Sequence, residues 1–286
     1  MSACQVAGRV ISARFFCGVT MSRIHGGFFQ FSPVFGEVQR NLGTILKAIH
    51  AFDGHLLVLP ELALSGYQFL SKEEVRELAE DIPSGPTIKV LEDAVRGRDL
   101  HVVVGLAERD HDRLYNSAVL IGPKGYIGTY RKTHVFFEET LWFSPGNTGF
   151  LVWDIGRARV GLLVCFDWFF PEAARSLTLK GADILCHPGN LVLPYCPDAM
   201  VTRCLENRVF AITANRIGRE QRGEKPPLQF IGMSEIVAPN GRLLYRSSEK
   251  DQELRLSEID VAEARDKRIN PYNDLLKDRR PHWYAS

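Results

Sequence analysis

The sequence predicts an α/β fold with mixed sheets, because short β-rich apolar runs alternate with segments of helical spacing, and no repeat, low-complexity tract or Pro/Gly/Ser linker divides them. Val38 to Ala51 places apolar residues at 38, 42, 45, 46 and 49, a helical spacing, and His55 to Leu59 then reads as a buried strand ending at Pro60. Lys72 to Glu80 and Pro86 to Arg96 read as helices, the second opened by the turn Pro83-Ser84-Gly85. His101 to Leu106, Asn116 to Ile121 and Tyr126 to Tyr130 read as strands, the last two joined across Pro123-Lys124-Gly125. Phe150 to Asp154 and Arg159 to Val164 are strands before a helix begun by Pro171 and Glu172. Asp183 to His187 and Phe210 to Asn215 are buried strands flanking a helix over Asp198 to Asn207, and Phe230 to Ala238 pairs with Arg242 to Arg246 around Pro239-Asn240-Gly241.

Composition narrows the function classes. At 45% hydrophobic and 24% charged residues, the 286-residue chain can bury a large core, and residues 23–286 are expected to form one domain. Lys and Arg total 35 against 34 acidic residues, so no global field attracts nucleic acid or an anionic membrane, and a small molecule is the expected partner. The longest apolar runs, such as Val160 to Phe166, fall far short of the roughly 18–20 residues a membrane span needs. Six cysteines, at 4, 17, 165, 186, 196 and 204, make no C-x-x-C pair, so neither a metal site nor a disulfide framework is expected, and a reducing, cytoplasmic setting follows. Before Glu37 the chain carries Arg9, Arg14 and Arg23 but no acidic residue, which fits either a transit segment or an upstream start, with Met21 a second start; residues 1–22 are expected to be a dispensable, poorly ordered extension.

Three residues that could carry chemistry fall at or just past strand ends. Cys165 closes Val-Gly-Leu-Leu-Val-Cys before a helix start, where backbone N–H groups favour a thiolate and can donate to an oxyanion; the competing reading is a small buried apolar residue. A thiol nucleophile needs a base. His134 and His187 would supply a Cys–His pair, although nothing around them matches a cysteine protease signature. Glu61, in Val-Leu-Pro-Glu-Leu-Ala-Leu, is a carboxylate in an apolar segment, tunable by burial and a neighbouring cation, or else a buried structural glutamate. Lys132, in Tyr-Arg-Lys-Thr-His-Val-Phe, would put positive charge where a heteroatom becomes anionic, or else is a solvated lysine after a hairpin.

Taken together, Leu-Pro-Glu-Leu, Tyr-Arg-Lys-Thr-His-Val-Phe and Leu-Val-Cys-Phe-Asp-Trp-Phe-Phe-Pro-Glu resemble, in order, the three catalytic signatures of the nitrilase superfamily of carbon–nitrogen hydrolases. The resemblance runs from about Gly27 to Tyr284 through Gln30-Phe31-Ser32-Pro33 in the first strand, Tyr115-Asn116-Ser117-Ala118, Ser144-Pro145-Gly146, Lys180-Gly181-Ala182-Asp183 and Glu206-Asn207. Within the superfamily the chain resembles archaeal thermophilic nitrilases and related amidases. The resemblance implies a four-layer αββα sandwich, the catalytic roles of Glu61, Lys132 and Cys165, and a second glutamate, Glu139, that orients the lysine or substrate. It also implies a homodimer or higher homo-oligomer, with helices at Pro171 to Lys180 and Asp198 to Asn207 at the interface and the tail from Arg265 lying across the partner. Two departures stand out: Gly26-Gly27 replaces β-branched or alanine residues in the first strand, and Phe166-Asp167 follows the cysteine where many nitrilases carry Trp-Glu.

The resulting expectation is a thiol hydrolase without metal or organic cofactor, in which Glu61 takes the Cys165 proton and a small nitrile passes through a thioester to acid and ammonia. An amidase or N-carbamoyl-amine hydrolase would use the same residues. Tyr67, Phe136, Phe166, Trp168 and Asn190 are expected to line the pocket, the alternative for the aromatics being core packing. Readings of another class are an acyltransferase and a non-catalytic scaffold; loss of a catalytic residue would favour the scaffold, and all three are present.

Overall fold

In the computed structural model, which describes residues 23–284, the chain opens with β1 (Arg23–Gln30), α1 (Val38–Ala51), β2 (Leu56–Val58), α2 (Lys72–Leu78), β3 (Glu80–Asp81) and α3 (Pro86–Val95). It continues through β4 (His101–Asp110), β5 (Arg113–Gly122), β6 (Gly125–Arg131), α4 (Glu139–Trp142), β7 (Val152–Asp154), β8 (Arg159–Leu162), a 3₁₀ turn (Cys165–Phe169), α5 (Pro171–Leu179), β9 (Ile184–Pro188), α6 (Cys196–Asn207) and β10 (Phe210–Ala214). The remainder is β11 (Arg219–Glu220), β12 (Leu228–Gln229), β13 (Glu235–Val237), β14 (Leu243–Arg246), β15 (Glu253–Asp260), α7 (Val261–Arg265), β16 (Arg268–Asn270), β17 (Asn273–Asp274) and a closing 3₁₀ turn at Pro281–Trp283. The expected extension over residues 1–22 lies outside the described residues.

Two mixed sheets form, ordered β15-β1-β2-β4-β5-β6, with β3 beside β4, and β14-β13-β10-β9-β8-β7. Alternation along the strands sorts their side chains onto two faces. Phe28, Leu56, Val58, Val103 and Leu120 turn inward to a core shared with Val160, Leu162, Ile184 and Ile212 of the other sheet and with Ala173, Leu177, Met200 and Cys204 of α5 and α6. Phe29, Leu57, Leu59, Val102, Val104 and Val119 turn outward, where Leu42, Ile45 and Ile49 of α1 and Ile88, Leu91 and Val95 of α3 cover them. The layers are therefore α, β, β, α, as the resemblance implies.

The glycine doublet lies within a β1 paired along its whole length to β15 and, at Gly26 and Gly27, to β2. A Cβ on Gly26 would meet Ile212 Cδ1 at 2.8 Å across the sandwich, and one on Gly27 would meet the Arg255 carbonyl oxygen at 1.9 Å. Close approach on both sides, not a weak strand end, explains the doublet. Two expectations need correction: of Gln30 to Pro33 only Gln30 belongs to the first strand, and of Phe230 to Ala238 only Glu235–Val237 is strand. In the latter, Gly232 (φ +59°) and Met233 (φ +56°) turn the chain left-handed, while Phe230 and Ile231 donate their N–H groups to Gly218 and Leu191 instead of to a sheet neighbour.

Candidate active site

Strand polarity assembles the site. β2 and β4 are parallel, β5 is antiparallel to β4, and β6 is antiparallel to β5, so β2 and β6 end at the same edge of one sheet. Glu61 follows β2, Lys132 follows β6, and Cys165 follows β8 of the facing sheet. The Glu61 segment is docked onto β4: Gly105 N–H donates to the Pro60 carbonyl (3.1 Å) and Ala63 N–H donates to the Gly105 carbonyl (2.9 Å). A Cβ at position 105 would lie 2.4 Å from Glu61 Cα, so glycine is what permits this approach. Leu62, Phe137 and Cys165 adopt left-handed φ of +47°, +50° and +44°. Each such non-glycine residue costs about 1–3 kcal/mol, and all three border the site.

At its centre the Lys132 Nζ donates to Glu61 Oε1 (2.7 Å) and to Glu139 Oε1 and Oε2 (both 2.8 Å), with Lys132 and Glu61 side chains fully buried. The Tyr67 hydroxyl donates to Glu139 Oε1 (2.8 Å), and Asn116 Nδ2 donates to Glu61 Oε1 (2.7 Å). Burial alone would lower the Lys132 pKa, but Glu139 and Glu61 hold it above the ordinary lysine value, so it stays an ammonium. Burial raises the Glu139 carboxyl against the opposing pull of Lys132, with Glu61 adding to the rise. The Cys165 thiol is pushed well above the usual thiol range by burial, then by the Glu61 carboxylate; Lys132 opposes this, Glu139 adds to it, and the Asn190 backbone N–H opposes it. The resting thiol is therefore neutral.

Asp167, two residues on, fixes the Cys165 turn. Its fully buried carboxylate accepts from Val164 N–H (2.9 Å), the Tyr130 hydroxyl (2.8 Å) and His134 N–H (3.2 Å), and contacts His134 Nδ1 (2.7 Å). His134 stacks on Phe170 with ring centroids 3.6 Å apart. His187 Nε2 donates to the Cys165 carbonyl oxygen (2.9 Å), which leaves Nδ1 to accept from the Thr213 hydroxyl (3.2 Å). Both histidines thus brace backbone and carboxylate around the cysteine; the Cys–His alternative finds its two candidates occupied elsewhere.

A small recess, open at its mouth, is lined by Cys165, Phe136, Phe166, Trp168 and Asn190, with Leu191, Val192 and Leu193 completing it. Four of the five expected lining residues are therefore brought together at the thiol. Tyr67 instead lies at Glu139, in an adjoining recess with Trp142 and Leu228. The Asn190 side-chain amide is buried, with neither Nδ2 nor Oδ1 partnered among the described residues. Sequence reasoning missed Asn116 and Leu191 to Leu193; the latter continue the loop from Asn190, and extending the strand-end argument by three residues would have found them. No group of three or more His, Cys, Asp or Glu is arranged to hold a metal among the described residues.

The model of the carbon–nitrogen hydrolase family matches residues 27–269. The chain is 47% identical to a nitrilase of Pyrococcus abyssi (strain GE5 / Orsay) over 260 residues, covering 90% of this chain and 97% of that one. It is 39% identical to an (R)-stereoselective amidase of Pseudomonas sp over 250 residues, covering 86% and 87%. Among solved structures, a carbon–nitrogen hydrolase from Helicobacter pylori G27 superposes with a TM-score of 0.81 at 25% identity, over 93% of this chain and 98% of that one.

Proposed function

This chain belongs to the carbon–nitrogen hydrolase family, and we propose that it converts a small nitrile to its carboxylic acid and ammonia through a thioester on Cys165. The observation that carries the mechanism is a buried Lys132 bound to both Glu61 and Glu139, close enough for Glu61 and Lys132 to act electrostatically on the Cys165 thiol, with Glu61 Oε2 unpartnered among the described residues. Glu61 takes the thiol proton as sulfur attacks the nitrile carbon, giving a thioimidate; one water adds, ammonia leaves, and a second water cleaves the resulting thioester. Lys132, beside both carboxylates, supplies positive charge as the substrate heteroatom gains electron density, together with the Phe166 backbone N–H. Glu139 holds Lys132 in place. The name of the Pyrococcus relative supports the nitrile.

One observation favours an amide or carbamoyl substrate as a second reading. A nitrile nitrogen can only accept, so it would satisfy Asn190 Nδ2 and leave Oδ1 unpaired, whereas an amide offers both an acceptor and a donor to that buried side chain. The reading further takes residues 23–286 as a single domain acting in the cytoplasm as a homo-oligomer; among the described residues no helix is long and apolar enough to cross a membrane.

Ammonia release from a panel of aliphatic nitriles, dinitriles, amides and N-carbamoyl amines, with Cys165→Ala alongside, tests it. Release from nitriles that disappears in the variant is the expected result. Release confined to amides or carbamoyl compounds replaces the first reading with the second, and no release from any class by folded protein overturns both in favour of a scaffold.

A further inference from the structure

Lys132 and the two glutamates leave a countable pattern of donors and acceptors. An ammonium has three N–H groups, and those of Lys132 meet Glu61 Oε1, Glu139 Oε1 and Glu139 Oε2. The Tyr67 hydroxyl adds a second donor to Glu139 Oε1. Asn116 Nδ2 adds a second donor to Glu61 Oε1 at 2.7 Å and stands 3.4 Å from Glu139 Oε2. Three of the four carboxylate oxygens are thus held, and Glu61 Oε2, buried, has no partner among the described residues. Asn116 also accepts the Lys132 backbone N–H through its own carbonyl (2.8 Å). It sits on β5, paired with β4 opposite Ala107, and is 1% exposed. One rigidly placed residue therefore grips the Lys132 backbone and the Glu61 side chain together.

We propose that Asn116 is a positioning residue that locks Glu61 through Oε1 and so makes Oε2 the atom that exchanges the Cys165 proton. The inference rests on the role proposed above for Glu61 and Cys165. As the S–H bond breaks, its proton passes to Oε2 and the sulfur electron pair forms the new S–C bond. Without the Asn116 amide, the Glu61 carboxylate can rotate and bind Lys132 through either oxygen, which spreads the proton-accepting lone pairs away from the thiol.

The probe is iodoacetamide, whose carbon is attacked by sulfur with loss of iodide, so that alkylation of Cys165 reads the same proton transfer without a known substrate. Its rate is followed across pH by mass analysis of the Cys165 peptide in wild type, Asn116→Leu, Glu61→Gln and the double variant. Asn116→Leu is expected to slow alkylation about 10- to 100-fold near neutral pH, the effect of losing a hydrogen bond to a charged group. The double variant is expected to be no slower than Glu61→Gln alone, because Asn116 acts through Glu61. A wild-type rate in folded Asn116→Leu, with Glu61→Gln slow, would overturn the inference and leave the role of Glu61 standing. A wild-type rate in Glu61→Gln would overturn both. If Asn116→Leu does not fold, Asn116→Ser, too short to reach Glu61, carries the same expectations.

Discussion

At the residue scale, Cys165 differs from a cysteine activated by a preformed ion pair. Thiols reach low pKa values beside unopposed cations. Here burial and the Glu61 carboxylate act in the opposite direction, and the Lys132 cation is already shared between two carboxylates. A raised pKa keeps the proton on sulfur below that pKa, so at about pH 7 the ultraviolet difference spectrum between wild type and Cys165→Ala is expected to show no thiolate band, with the band growing only as pH rises past the ordinary thiol range of about 8.5. A full thiolate band at neutral pH would mean that the nucleophile is stored ionised and needs no base. The strand-end positions of Glu61, Lys132 and Cys165 were legible from local pattern: Glu61 and Cys165 follow apolar runs, and Lys132 follows the second strand of a hairpin. The part played by Asn116 was not, since it depends on which residue of β5 lies next to the end of β6, a cross-strand register that no local pattern encodes.

Among elements, the helices α1 and α3 and the strands β2, β8, β9 and β10 could be read from spacing, because each buries a continuous apolar face or run. β15 could not: Glu253-Leu-Arg-Leu-Ser-Glu-Ile-Asp is largely half-buried or exposed, and its partner β1 lies at the other end of the described chain. Within this scaffold β4 supports the site through its backbone, since Gly105 carries the Glu61 loop. Gly105→Ala is expected to leave a folded protein by circular dichroism yet lower ammonia release more than about tenfold, because a displacement of the order of an ångström in a reacting group has effects of that size. Gly43, inside α1, is the contrast: a Cβ there meets nothing within 4 Å. Gly43→Ala is expected to leave activity alone and add about 0.5–1 kcal/mol of stability in a denaturant melt. Equal loss of activity in both variants would show that the close approach at Gly105 does not govern the position of Glu61.

On the scale of the whole molecule, one side carries apolar surface that a lone protomer leaves in water. Phe169, Tyr195 and Leu205, in and around α6 and the cysteine turn, are 52%, 63% and 54% exposed, and the tail adds Tyr272 at 92% and Trp283 at 79%. The tail starts from a fixed point: Lys267 Nζ donates to the Asn207 and Arg208 carbonyls at the end of α6, and Arg265 pairs with Asp183. Beyond it, β16 is wholly exposed and β17 partly so. A second copy of this chain, joined across α5 and α6, would cover these side chains and bring each tail onto the other subunit. Sedimentation equilibrium is expected to give at least twice the protomer mass at micromolar concentration. Tyr272→Ser combined with Trp283→Ser is expected to weaken that association by more than about tenfold while the protomer still folds, since two large aromatic anchors at about 1 kcal/mol or more each would be lost from the interface. A monomeric wild type would show that the exposed face is not covered by a second copy, and an unchanged mass in the double variant would place the contact elsewhere than the tail.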